Sequence, residues 1–390
     1  MASNALRVYV RDSTLKRLGQ ITDYTDLTVV PRYNAIGAMT MGISAGSPFA
    51  PLLVEGNGLI VKTAAGETVL SGPIRTPDWQ RSTTDGGSGK LTIGAVSDDE
   101  LLARYTCWPV PTAAIGSQTT SVYKIDTAST ETAMRDLVNL NAGPGGQASR
   151  KNPLLSLAPN TVLGPALVRE VNQFDNLLTV LQDIAAAAEL GFRVIQVGSV
   201  LQFQVFQPAD RSGTARFSFG FGNLTDATYT TTPPTCTRAI VVAGGSPSPR
   251  VCKVYDRADP LFPGLVLEQF VDQTSVDSAS VDLAAQMDQA GNEALTNGAG
   301  QGSLAISPID LPLLRYGRDY NVGDTVAAQL RGGTWYTDVV QEVTLTSNAT
   351  EATTKATIGN SSATGAVARI YSYIAQLKKD VGRIKTRKAA

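Results

Sequence analysis

Histidine is absent from this sequence. That absence removes Ser-His-Asp and Cys-His nucleophile systems and the usual His-containing zinc sites. Cysteine is scarce as well: Cys107, Cys236 and Cys252 lie far apart and form no Cys-x-x-Cys pair, so neither a zinc knot nor a disulfide framework is expected. All three thiols are expected to be small buried hydrophobes. An excess of one charge is missing too. The 33 Lys and Arg stand against 34 Asp and Glu, which leaves no global field to hold nucleic acid or an anionic membrane. Long apolar runs are lacking: "MASNALRVYVRDS" has no signal-peptide core, and "LLTVLQDIAAAAEL" is interrupted by Gln182 and Asp183. Neither a secretion signal nor a membrane span is expected. Carboxylate-only chemistry, such as glycoside hydrolysis by two acidic residues, stays open. No pair of carboxylates can be nominated for it, and no metal or cofactor is expected.

What is present is strand pattern. Hydrophobic residues make up 43% of 390 positions, enough for two or three domains with cores of their own. From Leu6 to about Arg104, short apolar or alternating runs sit between turn residues: "LRVYV", "LTVVPRY", "MTMGIS", "GLIVKT", "TVLSGPI", "KLTIGAV". Such spacing predicts a sandwich or barrel. "SDDELLARY" predicts a brief helix with Ser97 as cap and Glu100 as its capping-box partner. Between about 106 and 235, "STETAMRDLVNL" and "FDNLLTVLQDIAAAAELG" read as helices, the second with Leu177, Leu181, Ile184 and Ala188 on one face and Gly191 as its stop. "FRVIQVGSVLQFQVFQP" reads as a hairpin turning at Gly198 and Ser199, and "NAGPGGQASRKNP" as an exposed connection. After 236, strands return around one helix that stops at Asn297-Gly298. "GNGLIVKTAAGETVLSGPI" and "NVGDTVAAQLRGGTWYTDVV" share one grammar of Gly, apolar strand, Gly turn and second apolar strand, a hint of two related β-domains.

Several motifs have ordinary explanations. "TDGGSGK", ending at Lys90, has Thr84 where a P-loop needs Gly, and Leu91 opens a strand where a helix should start. "GAGQG" leaves a helix and enters a strand, the reverse of a dinucleotide site. The acidic groups Asp98, Asp99 and Glu100, and Asp319 with Asp324, lack the alternating oxygen-donor spacing of a calcium loop, so helix-start and turn roles are expected.

The last segment, "ARIYSYIAQLKKDVGRIKTRKAA", is a heptad seam. Val367, Ile374 and Val381 take a, and Ile370, Leu377 and Ile384 take d. Ile at two of three d positions favours three strands over two. Lys385 falls at e and Asp380 at g, so these two are expected to form an interchain ion pair. A helix this short is marginal alone in water, so association is the expected means of holding it.

Taken in order, "LRVYVRDSTLKRLGQITDYTDLTVVPRYNAIGAMTMGI", "GLIVKTAAGETVLSGPIR", "LTIGAVSDDELLARY", "DNLLTVLQDIAAAAELGFRV", "FGNLT" and "DYNVGDTVAA" resemble the minor tail proteins of long-tailed actinobacterial phages over about residues 6 to 360. The resemblance implies a tail-tip hub in which each chain supplies two related β-barrels and three chains close a pseudo-sixfold ring. The implied fold is mainly β with an α+β insertion. Its spans are 1–105 for the first β-barrel hub domain and 106–235 for a peripheral α/β domain. The second barrel with one helix takes 236–362, and a C-terminal coiled-coil helix takes 363–390. The implied partners are two further copies of the chain, the distal tail ring protein, the tape-measure protein and other baseplate proteins, with DNA only in transit. The implied place is the virion tail tip, assembled in the host cytoplasm. A receptor- or carbohydrate-binding tail protein and a carboxylate-dependent wall hydrolase are the alternative readings.

Overall fold

The alternation in "RVYVR" puts Val8 and Val10 on one face of a strand and Arg7 and Tyr9 on the other, and only the valines are fully buried. The computed structural model describes residues 6–359, apart from 83–86, 245–248, 260–262, 275–280, 310, 312–313, 331–332 and 349–350. The heptad segment 363–390, with all eight of its nominated residues, lies outside the described residues.

Seven strands come first: β1 (Arg7–Arg11), β2 (Arg17–Ile21), β3 (Tyr24–Val30), β4 (Ala38–Ser44), β5 (Gly58–Lys62), β6 (Thr68–Gln80) and β7 (Lys90–Val96), closed by a one-turn helix α1 (Glu100–Ala103). They hydrogen-bond in the order β3-β4-β7-β6-β5-β1-β2. A middle layer follows, made of β8 (Val122–Thr127), α2 (Thr130–Asn141), β9 (Leu155–Leu157), β10 (Leu167–Asn172), α3 (Leu177–Ala187), β11 (Gly191–Val197) and β12 (Val200–Phe206). Strands β13 (Arg216–Phe217) and β14 (Leu224–Thr232) return to the large sheet. A small layer then intervenes, with β15 (Arg238–Ala243), β16 (Val251–Asp256) and β17 (Glu268–Gln273) packed on α4 (Leu283–Asn297). The chain ends its described part with β18 (Gln301–Pro308), β19 (Thr325–Gln329), β20 (Trp335–Asn348) and β21 (Ala352–Gly359).

The later strands pair in the order β14-β18-β21-β20-β19-β13, which repeats β3-β4-β7-β6-β5-β1 element for element. Two of the register irregularities repeat as well. Register shifts between Tyr24 and Asp26 in β3 and between Leu224 and Asp226 in β14. It shifts again between Ile74 and Thr76 in β6 and between Val340 and Glu342 in β20. The two hairpins close alike. Thr63 N–H donates to Glu67 O at 2.8 Å and Leu330 N–H to Thr334 O at 2.7 Å. Gly66 and Gly333, at φ +93° and +86°, make the turns that an L side chain would strain. One difference stands out: β1 pairs antiparallel with β5, whereas β13 pairs parallel with β19. Both units share one core, running from Val8, Val10 and Met41 through Phe217 and Tyr320 to Val343 and Ile358.

In the middle layer, Ser129 and Asn176 cap α2 and α3 by accepting from the N–H groups of Thr132 and Thr179. Leu177, Leu181 and Ile184 lie buried on the inner face of α3 as expected. Gly191 is not the stop of that helix. The left-handed residue is Glu189 (φ +54°), and Leu190 N–H bonds back to Ala185 O at 2.9 Å, a Schellman closure. Gly191 instead opens β11, where an added Cβ would lie 2.3 Å from the Phe206 ring. The connection after α2 is not exposed throughout: Ala142, Gly143 and Gly146 are buried, and Arg150 stacks 4.1 Å from the Trp108 ring centroid while donating to Thr106 O. Cys107 and Cys236 are buried, but Cys252 is exposed on the outer face of the small sheet. Among the described residues no helix is long and apolar enough to cross a membrane.

Candidate assembly surface

Two constructions join the layers and units of the molecule. The first is a buried ionic knot at α1. Arg11, at the end of β1, has only 4% of its side chain exposed, and Asp98 only 3%. Arg11 Nη1 donates to Asp98 Oδ2 at 3.1 Å and to Gln196 Oε1 at 2.8 Å, while Nη2 pairs with Asp98 Oδ1. The Ser71 hydroxyl of β6 donates to Asp98 Oδ2 at 2.6 Å. Asp99 accepts from Val194 N–H of β11 at 2.6 Å and from the Ser97 hydroxyl at 2.8 Å. Burial pushes the Asp99 carboxyl up to about 7, against the lowering effect of those two donors. The knot thus bolts β11 of the middle layer onto β1 and β6 of the large sheet.

The expected capping box does not form there. Ser97 Oγ accepts from Gly37 N–H and donates to Asp99, and Glu100 reaches outward to Arg75 and Arg104. Burial works to raise Glu100, and its bonds to the two arginines override that and hold it below the usual carboxylate range. Asp319 and Asp324 serve turns, accepting from Arg315 N–H and Asn321 N–H. Lys90 pairs with Asp26 at 3.0 Å rather than with an anion. No group of three or more metal-ligating side chains occurs among the described residues. Sequence reading found the acidic triplet but missed Arg11, Ser71 and Gln196, since their positions mark no motif.

The second construction is the seam between the two β-units. The last residues of β20 pair antiparallel with β3: Leu345 with Val29, Thr346 with Thr28, Ser347 with Leu27, Asn348 with Asp26. Val343 N–H donates to Pro31 O at 3.2 Å, Tyr33 N–H donates to Gln341 O at 2.8 Å, and Arg32 pairs with Glu342. The core-facing side of the seam is buried, with Leu345 7% exposed and Val29 0%. The distal half of β6, which holds the place of that part of β20 in the first unit, is bare: β5 covers its other edge only as far as Pro73. Thr76, Pro77, Asp78, Trp79 and Gln80 are all exposed, Trp79 by 58%. β14, the counterpart of β3, is the terminal strand of the sheet. One signal for this edge was in the sequence: Pro77 inside a strand pattern marks an edge.

The sequence profile of the Siphovirus ReqiPepy6 Gp37-like protein family matches residues 7–360. No curated protein matches the sequence. Among the solved structures that share the fold are three tail proteins. The 43 kDa tail protein of prophage MuSo2 from Shewanella oneidensis superposes with a TM-score of 0.57 at 10% identity, covering 90% of this chain and 98% of that one. The tail protein from Neisseria meningitidis MC58 gives 0.54 at 14% identity, covering 92% and 97%. Prophage tail protein gp18 from Listeria monocytogenes EGD-e gives 0.51 at 13% identity, covering 96% and 98%. On the extent of the profile match the chain belongs to the siphovirus ReqiPepy6 Gp37-like family, and its fold is that of phage tail proteins.

Proposed function

We propose that this chain is a structural, non-enzymatic component of the virion tail tip, a hub of three copies that continues the tail tube and helps close its channel before DNA passes. The observation that carries this reading is the duplicated β-unit. Two units per chain with the same strand order and two matching bulges mean that three chains offer six near-equivalent units, which is what matching a sixfold tube to a threefold tip requires. The middle layer and the small β15–β17 layer lie outside the shared core of the two units and are suited to neighbouring baseplate proteins. The heptad residues Val367 to Ile384 supply a threefold clamp beyond the sheet, with Asp380 and Lys385 pairing between chains. The non-enzymatic reading is supported at α1, where both oxygens of Asp99 are already bonded within the fold and Asp98 is sealed against Arg11. Light scattering on the full chain should give three copies, and a chain ending at Thr364 should give fewer. Immunogold labelling should mark the tail tip; label along the tube or capsid would sink the hub reading, as would clear lysis in zymography on host peptidoglycan.

A further inference from the structure

The duplication says what the two bare edges are for. Matching bulge to bulge, Val340 corresponds to Ile74, so Leu345 corresponds to Trp79 and Thr346 to Gln80. By the same rule Val29 corresponds to Tyr229 and Thr28 to Thr228. Inside the chain, Leu345 meets Val29 and Thr346 meets Thr28. The corresponding partners, Trp79 and Tyr229, sit in different units and do not meet in one copy. We infer that β14 of one copy pairs antiparallel with the distal half of β6 in a second copy, placing Tyr229 opposite Trp79 and Thr228 opposite Gln80. This pairing presupposes the self-assembling ring proposed above and specifies its chain-to-chain contact.

Three observations favour a second copy as the occupant. The template is the molecule's own seam, with complementary strands already shown to fit. The contact is head-to-tail, so each copy offers one β6 edge and one β14 edge, and repetition with the rotation of about 120° that a threefold hub requires closes a ring. Burial is the third: the seam covers Leu345 down to 7%, while Trp79 at the matching place stands 58% exposed. Polarity of the edge agrees. Val343 N–H faces the seam, so the N–H groups of residues two apart from it, including that of Leu345, face it as well. Trp79 therefore turns its N–H and C=O to the open edge. Pro77, in the place of Val343, has no N–H to give, so the ladder between copies is one bond shorter than the internal one. Arg32 and Glu342 correspond to Thr232 and Thr76, so the ion pair of the internal seam is not repeated between copies.

The register makes a disulfide test sharp. Thr228 and Gln80 would form a non-hydrogen-bonded pair, whose Cα atoms lie about 4.5 Å apart, within disulfide reach. The full-length Q80C/T228C chain in a C252S background, oxidised at tens of micromolar, should give an interchain ladder that ends at three chains and collapses on reduction. The out-of-register pair Q80C/T230C should cross-link at least tenfold less. If the displaced pair cross-links as well, or no interchain disulfide forms although light scattering shows an oligomer, the pairing is wrong while the hub reading stands. A wild-type chain that stays monomeric and a variant that does not cross-link would overturn the pairing and the ring together. As a check independent of cysteines, W79E with an unchanged melting temperature should associate at least tenfold more weakly; unchanged association would overturn the pairing.

Discussion

Removing one partner of the Arg11–Asp98 pair should be far more damaging than its single contact suggests. In Asp98→Ala the guanidinium of Arg11, whose side chain is 4% exposed in the folded protein, keeps only the amide oxygen of Gln196, and the Ser71 hydroxyl loses its acceptor. Breaking a buried pair from one side costs about 3–5 kcal/mol, because the orphaned charge has lost its water and gained nothing. Against a total stability of about 5–15 kcal/mol that is a large share. With a urea slope of about 3 kcal/mol per molar, the midpoint should fall by roughly 1–2 M. The double variant R11M/D98L removes both charges and keeps most of the volume, so it should lose less than D98A alone. Equilibrium urea unfolding by far-UV circular dichroism measures both. A D98A cost below about 1 kcal/mol, or a double variant worse than the sum of the singles, would refute the reasoning.

Three further outcomes follow from the same geometry. Because burial raises Asp99 to about 7 in the folded chain, its native form holds a proton that the unfolded form releases near 4, so the contribution of Asp99 to stability declines as pH rises from about 4 through 7. Asp99→Asn should flatten that decline, and a wild-type-minus-variant melting difference that stays constant from pH 4 to 8 would count against it. Gly72→Ala would set a Cβ 1.7 Å from Val96 O between β5, β6 and β7, so the protein should be insoluble or destabilised by several kcal/mol, whereas Gly116→Ala, with nothing within 4 Å, should shift stability by less than about 0.5 kcal/mol. Glu342→Ala breaks the seam ion pair to Arg32, but the side chains are 42% and 31% exposed, so the cost should be about 0.2–1 kcal/mol and shrink in high salt.

Much of the local structure was legible because it follows from side-chain period. Alternation gave β1 and β4, and the 3.6-residue spacing of Leu177, Leu181 and Ile184 gave α3 its inner face. The hairpin at Gly198 and the stop at Gly298 are turn chemistry, readable residue by residue. Pairing was not legible, because a β-ladder is made of backbone groups common to every residue. Nothing in "YTDLTVV" announces that it will pair with "LTSN" more than three hundred residues on. The end of α3 was misjudged because Gly191 was the obvious left-handed candidate, while Glu189 adopts that conformation under the constraint of the helix closing on Leu190. The ionic knot was hidden for a similar reason, since Arg11, Ser71, Asp98 and Gln196 come from four separate elements.

On the inferred pairing, the two copies of the β-unit diverge in sequence where one makes an internal joint and the other an external one. The internal joint carries aliphatic residues, Val29 and Leu345, that are covered as soon as the chain folds. At the matching places of the bare edges stand Tyr229 and Trp79, aromatic side chains with a polar tip. Before assembly both side chains are held within their own copy: Trp79 Nε1–H donates to Ser88 O at 3.1 Å, and Tyr229 packs edge-on against Tyr336 with ring centroids 5.2 Å apart. After assembly the ring faces supply the large buried area that makes Trp and Tyr the usual anchors of contacts between chains. Pro77 removes one donor from an otherwise open strand, which blunts indiscriminate strand addition. The exchange of aliphatic for aromatic pairs thus falls at the two places where a joint must be soluble before it is made.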